Sequence, residues 1–301
     1  MTASPTDERD RAAGAATADR DGDRSLRREL LASARAIDLL VLLAVPAVLI
    51  AVFALPESTR RSFAFAYADP TVPTAFAAHY VHLDAGHLAG NVASYCLLAG
   101  VGYALAVLGG ARRFFLTALA AFLLAFPFAL SALNLAVPRD AIVFGFSGIN
   151  MALAGVLPLL LGTYARERFA PGASLRALPA VFFALLGWIA LLALPLSTTG
   201  VGLAGLAVGV AGALLALIYA SSAGIRVLAT ARRGAREIAS RPGEGDLFAV
   251  GAVLVVGYPV VGFPSDPTGA GSVVNLYVHL LGFSLAFIGP FALLAVGAFE
   301  E

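Results

Sequence analysis

Gly145-Phe146-Ser147-Gly148 opens an apolar run that continues to Tyr164. About twenty apolar residues is the length a helix needs to cross the hydrocarbon of a bilayer. Seven further runs of this kind flank it, at 37–55, 87–109, 114–137, 175–196, 201–220, 247–263 and 273–299. Inside a bilayer no water satisfies the backbone amides, so each run is predicted to be a helix. The expected fold class is therefore all-α, a polytopic membrane helix bundle of about eight transmembrane helices. The abundance of Gly and Ala within the runs permits close contact between helices.

Composition agrees with that reading. Hydrophobic residues make up 59% of the 301 positions, charged residues only 13%, and the mean hydropathy is +0.86. Soluble domains carry about a quarter of their residues as charges. All twenty positive charges are Arg, and they lie between the runs rather than in one basic patch, which argues against a nucleic-acid partner. The single cysteine, Cys96, excludes an internal disulfide and reads as a small packing residue. Residues 1–36 are rich in Asp, Arg, Ala and Thr, and are predicted to form a disordered cytoplasmic tail rather than a cleaved signal peptide.

Arginine placement orients the bundle. With the N-terminus inside, Arg60, Arg61 and Arg139 fall on the outer side and the other seventeen on the inner side. This asymmetry favours an even number of spans, with both termini cytoplasmic. Two outer connections are unusual. Residues 56–86 carry Phe63, Phe65, Tyr67 and Phe76, too apolar for a solvated linker, and are expected to lie in the membrane interface. Residues 264–272 are punctuated by Gly and Pro and are expected to be mobile. On the inner side, 222–246 has arginines at helical spacing and reads as an interfacial helix against anionic lipid.

Polar groups in apolar spans are costly, so those present deserve a reason. Ser147 sits between glycines at the mouth of its span, which allows a tight turn and leaves the Ser147 amide as a free helix N-terminal donor. With 31 glycines in the chain such a string arises readily by chance, and it is not the Gly-x-Ser-x-Gly elbow of soluble hydrolases. His279 lies about 10 Å below the start of the last span, near the outer face, at a depth similar to Ser147. The string His82-Leu-Asp-Ala-Gly-His87-Leu-Ala-Gly-Asn91 enters the second span from the same side. His87 and Asn91 are four apart and share one helix face. Two such side chains, with the Ser147 amide, can donate to an oxyanion; they equally suit hydrogen bonds between helices.

At these residues the chain resembles the rhomboid family of intramembrane serine proteases. The family pattern is an extracytoplasmic apolar loop, His-x4-His-x3-Asn entering a span, Gly-x-Ser-Gly opening a later one, and His-x2-Gly in the last. Here those positions are His82, His87 and Asn91, then Gly145, Ser147 and Gly148, then His279 and Gly282. The likeness covers residues 37–299 and implies a rhomboid-like transmembrane domain. It implies Ser147 as nucleophile and His279 as general base without a third acid. It assigns the oxyanion to His87, Asn91 and the Ser147 amide, and support of the loop–helix junction to His82. Gly282 and Ala286 are expected to let the last span pack on the fourth. No metal or cofactor is implied.

Two features depart from the pattern. The simplest members have six spans, whereas here Ser147 and His279 are 132 residues apart with three spans between them. An extra helical hairpin between the Ser-bearing and His-bearing spans preserves the direction of entry. Many members also carry an aromatic residue four after the Ser, packed on the imidazole; Met151 stands there, and its thioether can still contact the ring.

The expectation is thus a serine endopeptidase in a prokaryotic cell membrane, with transmembrane proteins as substrates and the lipid bilayer as its other partner. A rhomboid-like pseudoprotease that binds transmembrane helices without cutting is the first alternative. A polytopic transporter is the second, although no internal repeat and no charged midplane residue supports it.

Overall fold

A computed structural model describes residues 22, 24–137, 139–171, 174–194, 200–224, 227–268 and 273–299. In chain order the elements are a helix over 24–33 (α1), α2 (Ala36–Phe53), α3 (Glu57–Ser62), β1 (Phe65–Ala66), α4 (Val72–Ala77), a 3-10 turn (Ala78–Tyr80), α5 (Ala85–Leu108), α6 (Arg112–Leu124), α7 (Phe126–Asn134) and β2 (Ile142–Val143). Then follow α8 (Ser147–Arg168), a 3-10 turn (Leu175–Ala177), α9 (Leu178–Ala193), α10 (Gly200–Ser222), α11 (Val227–Ala239), α12 (Glu244–Gly262) and α13 (Leu276–Ala295). Seven of these helices, α2, α5, α8, α9, α10, α12 and α13, are long and apolar enough to span a bilayer, and α6 with α7 makes an eighth candidate. The chain is an all-α polytopic helix bundle and an integral membrane protein.

The third span is not one rod. It breaks between α6 and α7 with a bend of 48°. Pro127, at the second position of α7, cannot donate a backbone hydrogen bond, and this breaks the ladder where the sequence pattern alone reads straight through.

The centre of the bundle is α8, buried over 83% of its most apolar window, against 17–56% for the other spans. It packs on α13, α5, α12, α6 and α9. Its contact with α13 is close because both surfaces carry glycine. A Cβ on Gly282 would run into the Gly148 carbonyl, and one on Gly155 into the Phe283 carbonyl. Ala286, one turn beyond Gly282, is fully buried on the same helix. Small residues let the backbones approach, which is how helices gain dispersion energy in a medium that offers no hydrophobic drive.

Between the Ser147 and His279 helices, α9 and α10 pack on each other through Gly187, Gly209 and Gly212. The pair attaches to the centre through α9. Phe182 stacks on Phe287 with centroids 4.5 Å apart, and the Trp188 indole donates to the Val256 carbonyl of α12 (3.0 Å). The helix α12, not α9 or α10, flanks both α8 and α5. The arginine-bearing segment forms α11, with Arg232, Arg233 and Arg236 exposed.

The 56–86 loop is folded rather than merely interfacial. Its β1 pairs antiparallel with β2, Phe65 opposite Val143, a few residues before Ser147. Arg60 is buried, donating to the carbonyls of Leu55 (3.1 Å) and His82 (2.5 Å) with its guanidinium 4.3 Å from the Phe53 ring centre. At the opposite end charges pair. Asp38, first turn of α2, accepts two hydrogen bonds from Arg112 (2.6 and 2.5 Å) and one from the Tyr103 hydroxyl (2.8 Å). Arg168 bridges Glu29 and Glu244.

Three expectations need correction or restriction. The helix over 24–33 shortens the tail expected to be disordered through residue 36, and residues 1–21 lie outside the described residues. Cys96 is exposed on α5 and packs against no core. Of the connection 264–272, residues 269–272 lie outside the described residues.

Candidate active site

A cavity of about 680 Å³ opens where α5, α8 and α13 begin. Its lining brings together Ser147, His279, His87, Asn91 and Gly145, and no carboxylate lines it among the described residues. Met151 and Gly262 lie deeper in the same wall, and Arg139 stands at its exposed rim.

The turn ahead of Ser147 is fixed by packing and by conformation. Gly145 has φ +111°, a region that favours glycine. A Cβ there would also lie 2.6 Å from Cε1 of His87, so the imidazole rests directly on the turn. The Gly145 amide donates to the Ala78 carbonyl (2.9 Å), tying the turn to the folded loop. Helical bonding in α8 starts with the amides of Ile149 and Asn150, both donating to the Phe146 carbonyl at 3.0 Å. The amides of Ser147 and Gly148 have no acceptor among the described residues. They are the orphan donors of a helix N-terminus, where the dipole favours negative charge.

His279 is held from two sides. Its helix is capped by Asn275, whose side-chain oxygen accepts from the Val278 amide (3.2 Å) and whose amide nitrogen donates to Asn134 Oδ1 of α7 (3.1 Å). The ring Nδ1 lies 2.6 Å from the carbonyl oxygen of Gly262, the last residue of α12. A carbonyl only accepts, so Nδ1 carries the proton and Nε2 keeps its lone pair. The carbonyl is one of those a helix end leaves without a partner, and the end carries partial negative charge that suits an imidazolium. Phe263 meets the ring edge-on, 6.1 Å away at 90°. Met151 packs beneath, against Gly262, where a Cβ would sit 2.5 Å from its sulfur. The imidazole is thus oriented by a main-chain acceptor and by Phe263.

Ser147 is half-buried and His279 is 6% exposed. Neither Ser147 Oγ nor His279 Nε2 has a hydrogen-bond partner among the described residues. Nucleophile–base bonds in ligand-free sites are often long and tighten only on substrate binding.

His82, His87 and Asn91 meet, with different duties. The two imidazoles pack edge-on, centroids 5.0 Å apart. The Asp84 carboxylate accepts from the His87 amide (2.8 Å) and caps α5; the ring nitrogens of His87 have no partner among the described residues. The Asn91 amide nitrogen donates to the His87 carbonyl and to His82 Nε2, both at 3.1 Å. Both of its protons are therefore used, and it reaches an oxyanion only by releasing one. His82, fully buried, also accepts from the Phe146 amide at 3.4 Å, linking α5 to the turn before Ser147. Burial, and secondarily the His87 imidazole, push its pKa down to about 4, so it is neutral at pH 7.

Three polar residues outside the sequence motifs belong to the site. Asn150, fully buried on α8, donates to the Asn91 carbonyl and to Asn91 Oδ1, both 3.0 Å, and so sets the Asn91 rotamer. An Asn within an apolar run was the available signal. His79 Nε2 lies 3.1 Å from Ser131 Oγ, on the wall of the same cavity. Ser131 donates its only proton to the Ala75 carbonyl (2.8 Å), so the imidazole donates to the hydroxyl. That polarity is opposite to base activation, and the pair fastens α4 and the following 3-10 turn to α7. Burial pushes the His79 pKa down to about 4.

No protein-family model matches the chain, and no curated protein or solved structure matches it.

Proposed function

We propose that the protein is an intramembrane serine endopeptidase of the rhomboid type, cleaving transmembrane protein substrates near the extracytoplasmic face. The observation that carries the reading is the Nδ1–H of His279 donating to the Gly262 carbonyl in the cavity that holds Ser147. That bond leaves Nε2 free to act as a base in the cavity that also holds a serine hydroxyl at a helix N-terminus with free amides.

In this mechanism Ser147 Oγ attacks the carbonyl carbon of the scissile peptide, and its proton passes to His279 Nε2. The tetrahedral oxyanion accepts hydrogen bonds from the Ser147 amide and the His87 ring. As the C–N bond breaks, His279 returns the proton to the leaving amine. Water, deprotonated by the same nitrogen, then hydrolyses the acyl-enzyme. The Gly262 carbonyl stabilises the imidazolium formed in each half, the part an acid plays in a triad. Asn91 and His82 hold the His87 helix in place.

In the sequence seventeen of the twenty arginines fall on the side opposite the Ser147 end, which supports a cytoplasmic location for that side, and the Arg and Ala bias fits a prokaryotic cell membrane. Incubation of the purified protein with a single-span membrane protein in proteoliposomes tests the proposal. Wild type is expected to yield a cut within or beside the span, and Ser147→Ala and His279→Ala none. Retention of substrate without any product in the wild type overturns it in favour of a helix-binding pseudoprotease.

A further inference from the structure

The opposite end of the bundle holds a second cavity, of about 530 Å³, with contrary chemistry. Arg35, Arg112, Arg113 and Arg166 line it, and no carboxylate does among the described residues. The four come from three places: Arg35 just before α2, Arg112 and Arg113 in the first turn of α6, and Arg166 in the last turn of α8. Arg112 is engaged by Asp38, behind the wall. Arg35 and Arg166 make no salt bridge among the described residues. The other lining side chains are apolar except Thr163, whose hydroxyl donates to the Leu160 carbonyl (2.8 Å). Phe114 is buried and meets Phe299 edge-on at 5.3 Å, with Leu294 of α13 beside them.

Arg35 and Arg166 bring two guanidinium groups without an ion-pair partner among the described residues to one cavity, which is unfavourable without an anion to share. Guanidinium forks match the oxygens of a phosphate, and several can serve one phosphate at once. The cavity lies where spanning helices end, the depth of lipid headgroups. Basic pockets between transmembrane helices at that depth suit phosphate-bearing headgroups. The aromatic wall suits the first carbons of an attached chain and has no use for a bare ion.

We propose that this cavity binds a phosphate group through Arg35 and Arg166, with Arg112 and Arg113 supporting, and that the phosphate belongs to the headgroup of an anionic phospholipid. The site shares no residue with the Ser147 cavity, so it stands or falls separately from the proteolytic reading.

The test is thermal unfolding of the full-length, delipidated protein in detergent, titrated with phosphatidylglycerol, phosphatidylcholine or inorganic phosphate. Phosphatidylglycerol is expected to raise the Tm and phosphatidylcholine to leave it unchanged. Arg35→Gln and Arg166→Gln are each expected to weaken the apparent affinity about five-fold. Arg232→Gln, which removes the same charge from exposed α11, is expected to have no effect. Stabilisation by inorganic phosphate as strong as by the lipid moves the source to a free anion and overturns the lipid assignment. An undiminished lipid response in both cavity variants, or an equal loss in Arg232→Gln, overturns the site. Native mass spectrometry of the wild type gives a reading that needs no variant to fold. One phosphatidylglycerol retained per chain, with phosphatidylcholine lost, supports the site; equal retention of the two contradicts it.

Discussion

Two helix pairs in this molecule are closed by the same device and serve different ends. In one, α13 lies on α8 through Gly148, Gly155 and Gly282; in the other, α10 lies on α9 through Gly187, Gly209 and Gly212. Backbone meets backbone in both. Yet α8 is buried on nearly all sides, while α10 has 22% of its window buried and turns Leu203, Leu206, Val210 and Leu217 outward. The difference lies at the helix ends. Where α8 and α13 begin, Ser147, Asn275 and His279 extend the contact into a cavity, with Asn150 buried behind it on Asn91. The polar side chains near the end of α10, Tyr219, Ser221 and Ser222, line neither cavity, and both serine hydroxyls bond carbonyls of their own helix. Close packing holds a backbone to within an ångström; polar residues at the mouth turn that precision to chemical use.

The contrast can be broken by substitution, and the largest effect is expected at the oxyanion. His87→Ala removes a ring whose nitrogens have no hydrogen-bond partner among the described residues. It is expected to lower kcat about 100- to 1,000-fold with little change in KM. A proportionate rise in KM with kcat intact would return His87 to packing. Next comes the glycine comparison. Gly282→Val and Gly212→Val each force a side chain into a facing backbone and are expected to cost about 1–3 kcal/mol in reversible unfolding. Only the first should lower proteolysis, and by less than His87→Ala, because only α13 carries the base; equal loss of activity in both would tie α9 and α10 to the site.

Asn150→Ala sharpens the picture at smaller scale. It leaves Asn91 Oδ1 buried without its donor, at a cost of about 1–3 kcal/mol. Activity should fall through loss of the Asn91 rotamer, and Asn150→Gln should not restore it. The smallest expected effect is on pH. His79 and His82 have folded pKa values near 4 against 6.5 when unfolded, so the unfolded chain binds more protons between those values. Stability conferred by these neutral imidazoles is fully present above pH 6.5 and is lost as pH falls towards 4. Tm measured across that window should decline on acidification, and His79→Gln should flatten the decline. A Tm independent of pH there would contradict the buried neutral state of both rings.

The sequence carried the spans well, because an apolar run of spanning length admits little except a helix. Proline was the exception, since Pro127 bends the third span although its hydropathy continues. The loop before α5 was legible as apolar but not as folded; two-residue strands leave no periodicity to detect. At the site, the motif residues pointed to one end of the bundle. What they could not indicate was what holds the imidazole. Gly262 contributes only a carbonyl, which no side-chain pattern encodes, and Asn150 stood out as a polar residue in an apolar run without any sign that its partner is Asn91.

The account rests on Ser147 being a hydroxyl activated by His279. Treating the detergent-solubilised wild type with a fluorophosphonate and mapping the adduct by peptide mass spectrometry tests this directly. The expected result is a single adduct on Ser147, absent in His279→Ala and in Ser147→Ala. An active preparation of wild type that stays unmodified, or one modified equally after Ser147→Ala, would contradict it.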